Sequence, residues 1–113
     1  MLSAANRLRA SKDFARTTKI GHRATSHSLV LYSHSGENLP AGPQVGLIIN
    51  KSVGGSVARH RIARQLRHLI KDHLVEFPTQ SQLVIRVLRE QPDFSTELTE
   101  LVSKVLAKQS VRA

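Results

Sequence analysis

The sequence predicts an α+β or α/β-like sandwich in which helices cover a mixed sheet, in the order helix, two or three strands, helix, strand, helix (αβββαβα-type with three), and three observations carry that reading. Residues 44–50 (QVGLIIN) and 82–88 (QLVIRVL) are near-continuous apolar runs of strand length. Between them, and again near the carboxyl end, apolar residues recur at helical spacing. A chain of 113 residues with 40% apolar content is enough for one domain with one modest core, and too short for two. Aromatic residues make up only 4% and Trp is absent, so the core is expected to consist mainly of Leu, Val and Ile.

Taken in order, Ser11 is placed to cap a short helix running to about Lys19, with Asp13 favourable in its first turn and Gly21 ending it. An extended region follows over residues 22–33. Within it, residues 27–32 (HSLVLY) read as a strand with both faces partly buried. Residues 36–43 (GENLPAGP) are a loop by composition. The run at 44–50 is a central strand, and a Gly-Gly-Ser break at 54–56 precedes a long helix expected to reach about Val75, with Pro78 closing the segment. The run at 82–88 is a second buried strand. Asp93 or Ser95 caps a last helix whose Phe94, Leu98, Leu101, Val102, Val105 and Leu106 share one face. The whole of 1–113 is read as one domain, with loose ends at 1–5 and 109–113. An element order of this kind packs as helices against a mixed sheet.

Charge is the informative bulk property. The formal net charge is +9, and it is unevenly placed: residues 1–71 hold 12 Lys/Arg against two acids, Asp13 and Glu37, whereas residues 72–113 hold 5 against 6. Such a lopsided field attracts polyanions, because each phosphate neutralised releases condensed counterions. The absence of Cys excludes disulfides, a thiolate nucleophile and a Cys-based zinc site, and suits a reducing cytoplasm. The first dozen positions carry Arg7, Arg9 and Lys12 instead of the apolar stretch of a signal peptide, and no apolar run approaches the roughly 20 residues of a membrane span.

The segment 59–71 (RHRIARQLRHLIK) carries most of the functional signal. At about 100° per residue, Ile62, Leu66, Leu69 and Ile70 fall within an arc of roughly 100°, and Arg61, Arg64, Arg67, His68 and Lys71 fall together on a separate arc of about 120°. One side packs and the other forms a continuous cationic ridge. Arg59, His60 and Arg61 stand in the first turn, where the helix dipole disfavours cations by roughly a few tenths of a kcal/mol each. Residues that cost stability imply a partner, and phosphate oxygens suit both Arg forks and the amides of a helix start. A DNA-reading helix-turn-helix fits poorly, because a strand and a Gly-rich break stand where the first helix of that motif belongs.

The six histidines (His22, His27, His34, His60, His68 and His73) show no HxH, HxxxH or HExxH spacing. No nucleophile elbow, phosphate loop or pair of acids for two-metal phosphodiester hydrolysis occurs either. Neither a catalytic residue nor a metal ligand is therefore expected in this chain.

Residues 45–67, and above all N-K-S-V-G-G-S-V-A-R-H-R-I-A-R-Q-L-R from Asn50 to Arg67, resemble the signature of the bacterial ribonuclease P protein family. Arg59, Arg61, Arg64 and Arg67 match it in register. Upstream, residues 6–9 (NRLR), Asp13-Phe14, Gly21 and residues 29–32 (LVLY) stand where the family has comparable features, so the resemblance spans roughly residues 6–106. Four positions depart from the pattern: His60 and Gly55 replace common Asn, Ala63 a frequent Lys, and Thr18 a frequent aromatic.

The resemblance implies a ribosomal-protein-like fold with a left-handed β-α-β crossover, which periodicity does not show and the general rule would not predict. It also implies a subunit of an endoribonuclease that removes the 5′ leader of precursor transfer RNA. The chemistry would be carried by a catalytic RNA and by Mg²⁺ held mainly by that RNA. Arg59, His60, Arg61, Arg64, Arg67, His68 and Lys71 would face the catalytic RNA. Phe14 and Tyr32, with Lys51, Arg9 and Lys12, would form a cleft for the single-stranded leader, since aromatic faces stack on unpaired bases at about 1–3 kcal/mol each. The implied partners are the catalytic RNA and precursor transfer RNA, with neither membrane nor DNA, and the implied location is cytoplasmic. A stand-alone or ribosome-associated RNA-binding module of similar fold is the alternative.

Overall fold

In a computed structural model that describes residues 6–111, with side chains through Lys108, the elements run helix α1 (Ser11–Ile20), strands β1 (His22–Thr25), β2 (Leu29–Ser35) and β3 (Gln44–Ile49), helix α2 (Ser56–Lys71), strand β4 (Ser81–Val87) and helix α3 (Ser95–Val111). The observed order is the expected αβββαβα. The sheet order is β1-β2-β4-β3, with β4 antiparallel to β2 and parallel to β3, so the sheet is mixed and α2 is the crossover between its two parallel strands.

Alternation along the strands sends side chains to two sides of the sheet. On one side Leu29, Leu31, Val45, Leu83, Ile85 and Val87 meet Ile62, Leu66 and Ile70 of α2 and Leu98, Leu101, Val102 and Val105 of α3 in the main core. On the other, Val30, Tyr32 and Val84 form a smaller cluster with Leu8, and Phe14 of α1 and Ile48 pack against it. This two-sided burial is why residues 29–33 of β2 are all buried.

Local differences from the sequence reading have physical causes. Ser11 is the first helical residue of α1, not its cap. Leu8 donates its N–H to the Val45 carbonyl at 2.9 Å, and the chain is still extended at Ala10, which occupies the cap position without a side-chain hydrogen bond. The extended region 22–33 is a hairpin, turned at residues 26–28. There Ser26 and Leu29 share backbone and hydroxyl hydrogen bonds, and Glu97 of α3 accepts from Ser26 Oγ at 2.5 Å and Ser28 N–H at 3.0 Å. Helix α2 stops at Lys71, and the stretch expected to continue it to Val75 is a separate 3-10 turn, Leu74–Glu76, leading into buried Phe77. Pro78 restricts Phe77 to extended backbone, which the helix could not supply. Of the expected loose ends, residues 1–5 and 112–113 lie outside the described residues, and residues 109–111 belong to the last turn of α3. Among the described residues no helix is long and apolar enough to cross a membrane.

Candidate nucleic-acid interface

Burial of Ile62, Leu66 and Ile70 fixes the rotation of α2 and turns its opposite flank to solvent. His60, Arg61, Arg64, His68 and Lys71 are exposed, while Arg59 and Arg67 are half-buried at the borders. Arg59 folds back so that its Nε donates to the Gly54 carbonyl at 3.2 Å, bracing the turn ahead of the helix. Gly55 occupies the cap position with no side-chain cap, and no acid stands in the first turn. The start of α2 thus keeps its amides and its cations on one exposed end. A concave surface there is lined by Ser56, Val57, His60, Arg61 and Arg64, and Val57 within it is 82% exposed.

One counter-charge comes from the chain itself. Arg61 pairs with Glu90 of the β4–α3 loop, with 65% and 40% of the two side chains exposed. A pair this open contributes about 0–1 kcal/mol and is weakened by salt, so a phosphate can displace the carboxylate. His60, Arg64, Arg67, His68 and Lys71 make no hydrogen bond or ion pair with the described residues. The ridge is exposed and mostly uncompensated.

The second expected surface lies on the other side of the sheet. Phe14 of α1 lies over Gly46 of β3 so closely that a Cβ there would overlap its ring. Tyr32 belongs to the same cluster but is only 8% exposed, so most of its ring is packed and Phe14, half-buried, offers the more accessible aromatic face. Thr18 turns its hydroxyl back to the Phe14 carbonyl at 3.0 Å. The cations expected around these rings are spread out. Arg9 is exposed just ahead of α1, and Lys51 is exposed just after β3. Lys12 lines a hollow at the opposite end of the sheet with Asp13, Arg16, His34 and Gln82. In that hollow Arg16 donates to Asp13 at 2.7 Å and Gln82 at 2.9 Å. Burial, then the nearby Arg16 and His22, push His34 below its usual 6.5.

The sequence reading passed over two cations of this face, Arg23 of β1 and Arg86 of β4. The signal for Arg86 in the sequence is a lone charge within an otherwise apolar strand run. Among the described residues no cluster of three His, Asp or Glu side chains converges to hold a metal ion.

Fold and surface together define a small basic α+β protein with a cationic helix flank on one side of a mixed sheet and an aromatic-bearing face on the other. The profile of the family described as Ribonuclease P matches residues 2–109. A ribonuclease P protein component from Mycobacterium leprae is 43% identical over 98 residues, covering 85% of this chain and 82% of the relative. One from Mycobacterium tuberculosis is 47% identical over 88 residues, covering 78% and 74%. The solved structure of the Staphylococcus aureus RNase P protein superposes with a TM-score of 0.69 over 92% of this chain and 94% of that one, at 21% identity. That of Thermotoga maritima gives 0.61 over 91% and 90%, at 18% identity. The chain belongs to the ribonuclease P protein family.

Proposed function

We propose that this chain is the protein subunit of a ribonuclease P ribonucleoprotein, which cuts the 5′ leader from precursor transfer RNA. The observation that carries the proposal is the α2 flank, where His60, Arg64, Arg67, His68 and Lys71 are cationic or hydrogen-bonding groups without partners among the described residues. They lie on a helix whose rotation the core has fixed. Family membership supplies the partner of matching chemistry, a structured RNA. The catalytic RNA takes the α2 flank, with Arg61 exchanging Glu90 for phosphate. The single-stranded leader crosses the sheet face at Phe14, flanked by Tyr32 and approached by Lys51, Arg9 and Lys12.

The protein's share of the reaction is position and charge. Holding leader and catalytic RNA in fixed relation lowers the entropic part of the barrier, and the cations offset phosphate repulsion as the two RNAs meet. Mg²⁺ belongs with the RNA in this proposal.

The test is reconstitution with the cognate catalytic RNA at low Mg²⁺. Precursor transfer RNA is expected to be cleaved faster than by the RNA alone. Equal rates would overturn the assignment, as would co-purification of the chain with ribosomal particles in place of one long structured RNA.

A further inference from the structure

Arg86 is the one charged residue of β4, one of the two strands flanked on both sides in the sheet. Its register partners are Val30 of β2 and Ile48 of β3, both apolar, on the face that carries Phe14 and Tyr32. The residue is half-buried, its Nε is fully buried without a hydrogen-bond partner, and the guanidinium has no ion pair among the described residues. None of the strand residues sharing its face is an acid. Asp13, on the helix covering this face, is taken by Arg16. Partly burying a cation without a partner opposes folding, and an apolar residue would serve the packing of Val30 and Ile48 better.

We propose that Arg86 is a leader-positioning residue whose guanidinium grips a backbone phosphate of the single-stranded leader where it crosses the sheet. This rests on the leader reading of the face and names a contact within it. The fork of a guanidinium matches two phosphate oxygens, and the surrounding apolar side chains exclude the water that would screen the contact. Phe14, over neighbouring Gly46, presents an aromatic surface on the same side. A base-stacking ring beside a phosphate-holding fork is the combination that unpaired ribose-phosphate chains require.

The experiment uses the reconstituted holoenzyme with Arg86→Met, which keeps length and apolar contact, and Arg86→Lys, which keeps charge. Affinity is measured for precursor transfer RNA with its leader and for mature transfer RNA without it, across a salt series. The wild type is expected to prefer the leadered substrate. In Arg86→Met that preference falls about tenfold and the slope of log affinity against log salt drops by about 0.7. Arg86→Lys recovers part of both, mature transfer RNA binds as before, and the thermal midpoint of the free protein is unchanged or raised. An Arg86→Met holoenzyme with wild-type leader preference overturns the assignment. So does a lowered midpoint with equal loss for both substrates, which would make Arg86 a packing residue. A wild-type holoenzyme with no leader preference overturns the leader reading itself, and Arg86's role with it.

Discussion

Gly46 lies beneath the ring of Phe14, and the closeness of that approach makes the glycine a positioning element for the aromatic. An added Cβ would overlap the ring, so the side chain must swing off the sheet or the helix must lift. Gly46→Ala is expected to lower stability by about 1–3 kcal/mol, the usual cost of overpacking. It should also weaken binding of leadered precursor while leaving affinity for the catalytic RNA intact. Denaturant midpoints and the two binding assays check this. The sequence offered Phe14 as a cleft residue through resemblance, yet nothing adjacent to it named Gly46 as its seat, 32 positions away. Tyr32 was legible as a strand aromatic. Its burial is shared with Leu8, which a backbone bridge from Arg7 to Val45 brings beside β3 from far along the chain.

At the scale of elements, α2 was the most legible part of the molecule, because a 3.6-residue period separates its buried and exposed arcs without help from elsewhere. What the period could not supply was the partner of Arg61. Glu90 lies 29 positions downstream and is held in place by contacts of the β4–α3 loop. The Phe94 N–H donates to Gln65 Oε1 at 2.8 Å, and Gln91 donates to Ser28 Oγ at 2.7 Å. Arg64, with no such partner among the described residues, is the cleaner probe. Arg64→Ala should reduce affinity for the catalytic RNA and lower the salt slope by about one unit, with little change in stability. Glu90→Gln should act in the opposite direction on affinity, since it frees Arg61 from an internal competitor. Filter-binding titrations over a salt series distinguish the two. The β1–β2 hairpin was the least legible element, because Ser26-His27-Ser28 contains none of the Gly, Pro or Asn residues that announce a tight turn.

Across the whole molecule, that hairpin is closed by α3. Partial burial works to raise the pKa of Glu97, but the hydrogen bonds from Ser26 and Ser28, with His27 nearby, outweigh it and hold the carboxyl below its ordinary 4.5. A carboxylate depressed in the folded state stabilises fully above its unfolded pKa, and that contribution is lost as pH falls through the folded value. Glu97→Gln is therefore expected to lower the thermal midpoint at neutral pH and to flatten the decline below about pH 4.5, the unfolded value. A mutant whose midpoint declines as steeply as the wild type's would count against this coupling. The tie bridges 71 positions, so periodicity and local turn chemistry had no means of showing it. Outside that hairpin the element order needed only local patterns, and it was readable. Strand order β1-β2-β4-β3 is a property of long-range pairing, which local patterns do not show.

The sheet separates α2 from α1, with one apolar cluster on each side. On the proposed reading it acts as a partition, with the long RNA on one wall and the outgoing strand on the other. Two polymers held this way cannot tangle or trade places. Their spacing is set by the thickness of folded protein, so a substrate whose leader is missing or paired has nothing to lay against the far wall.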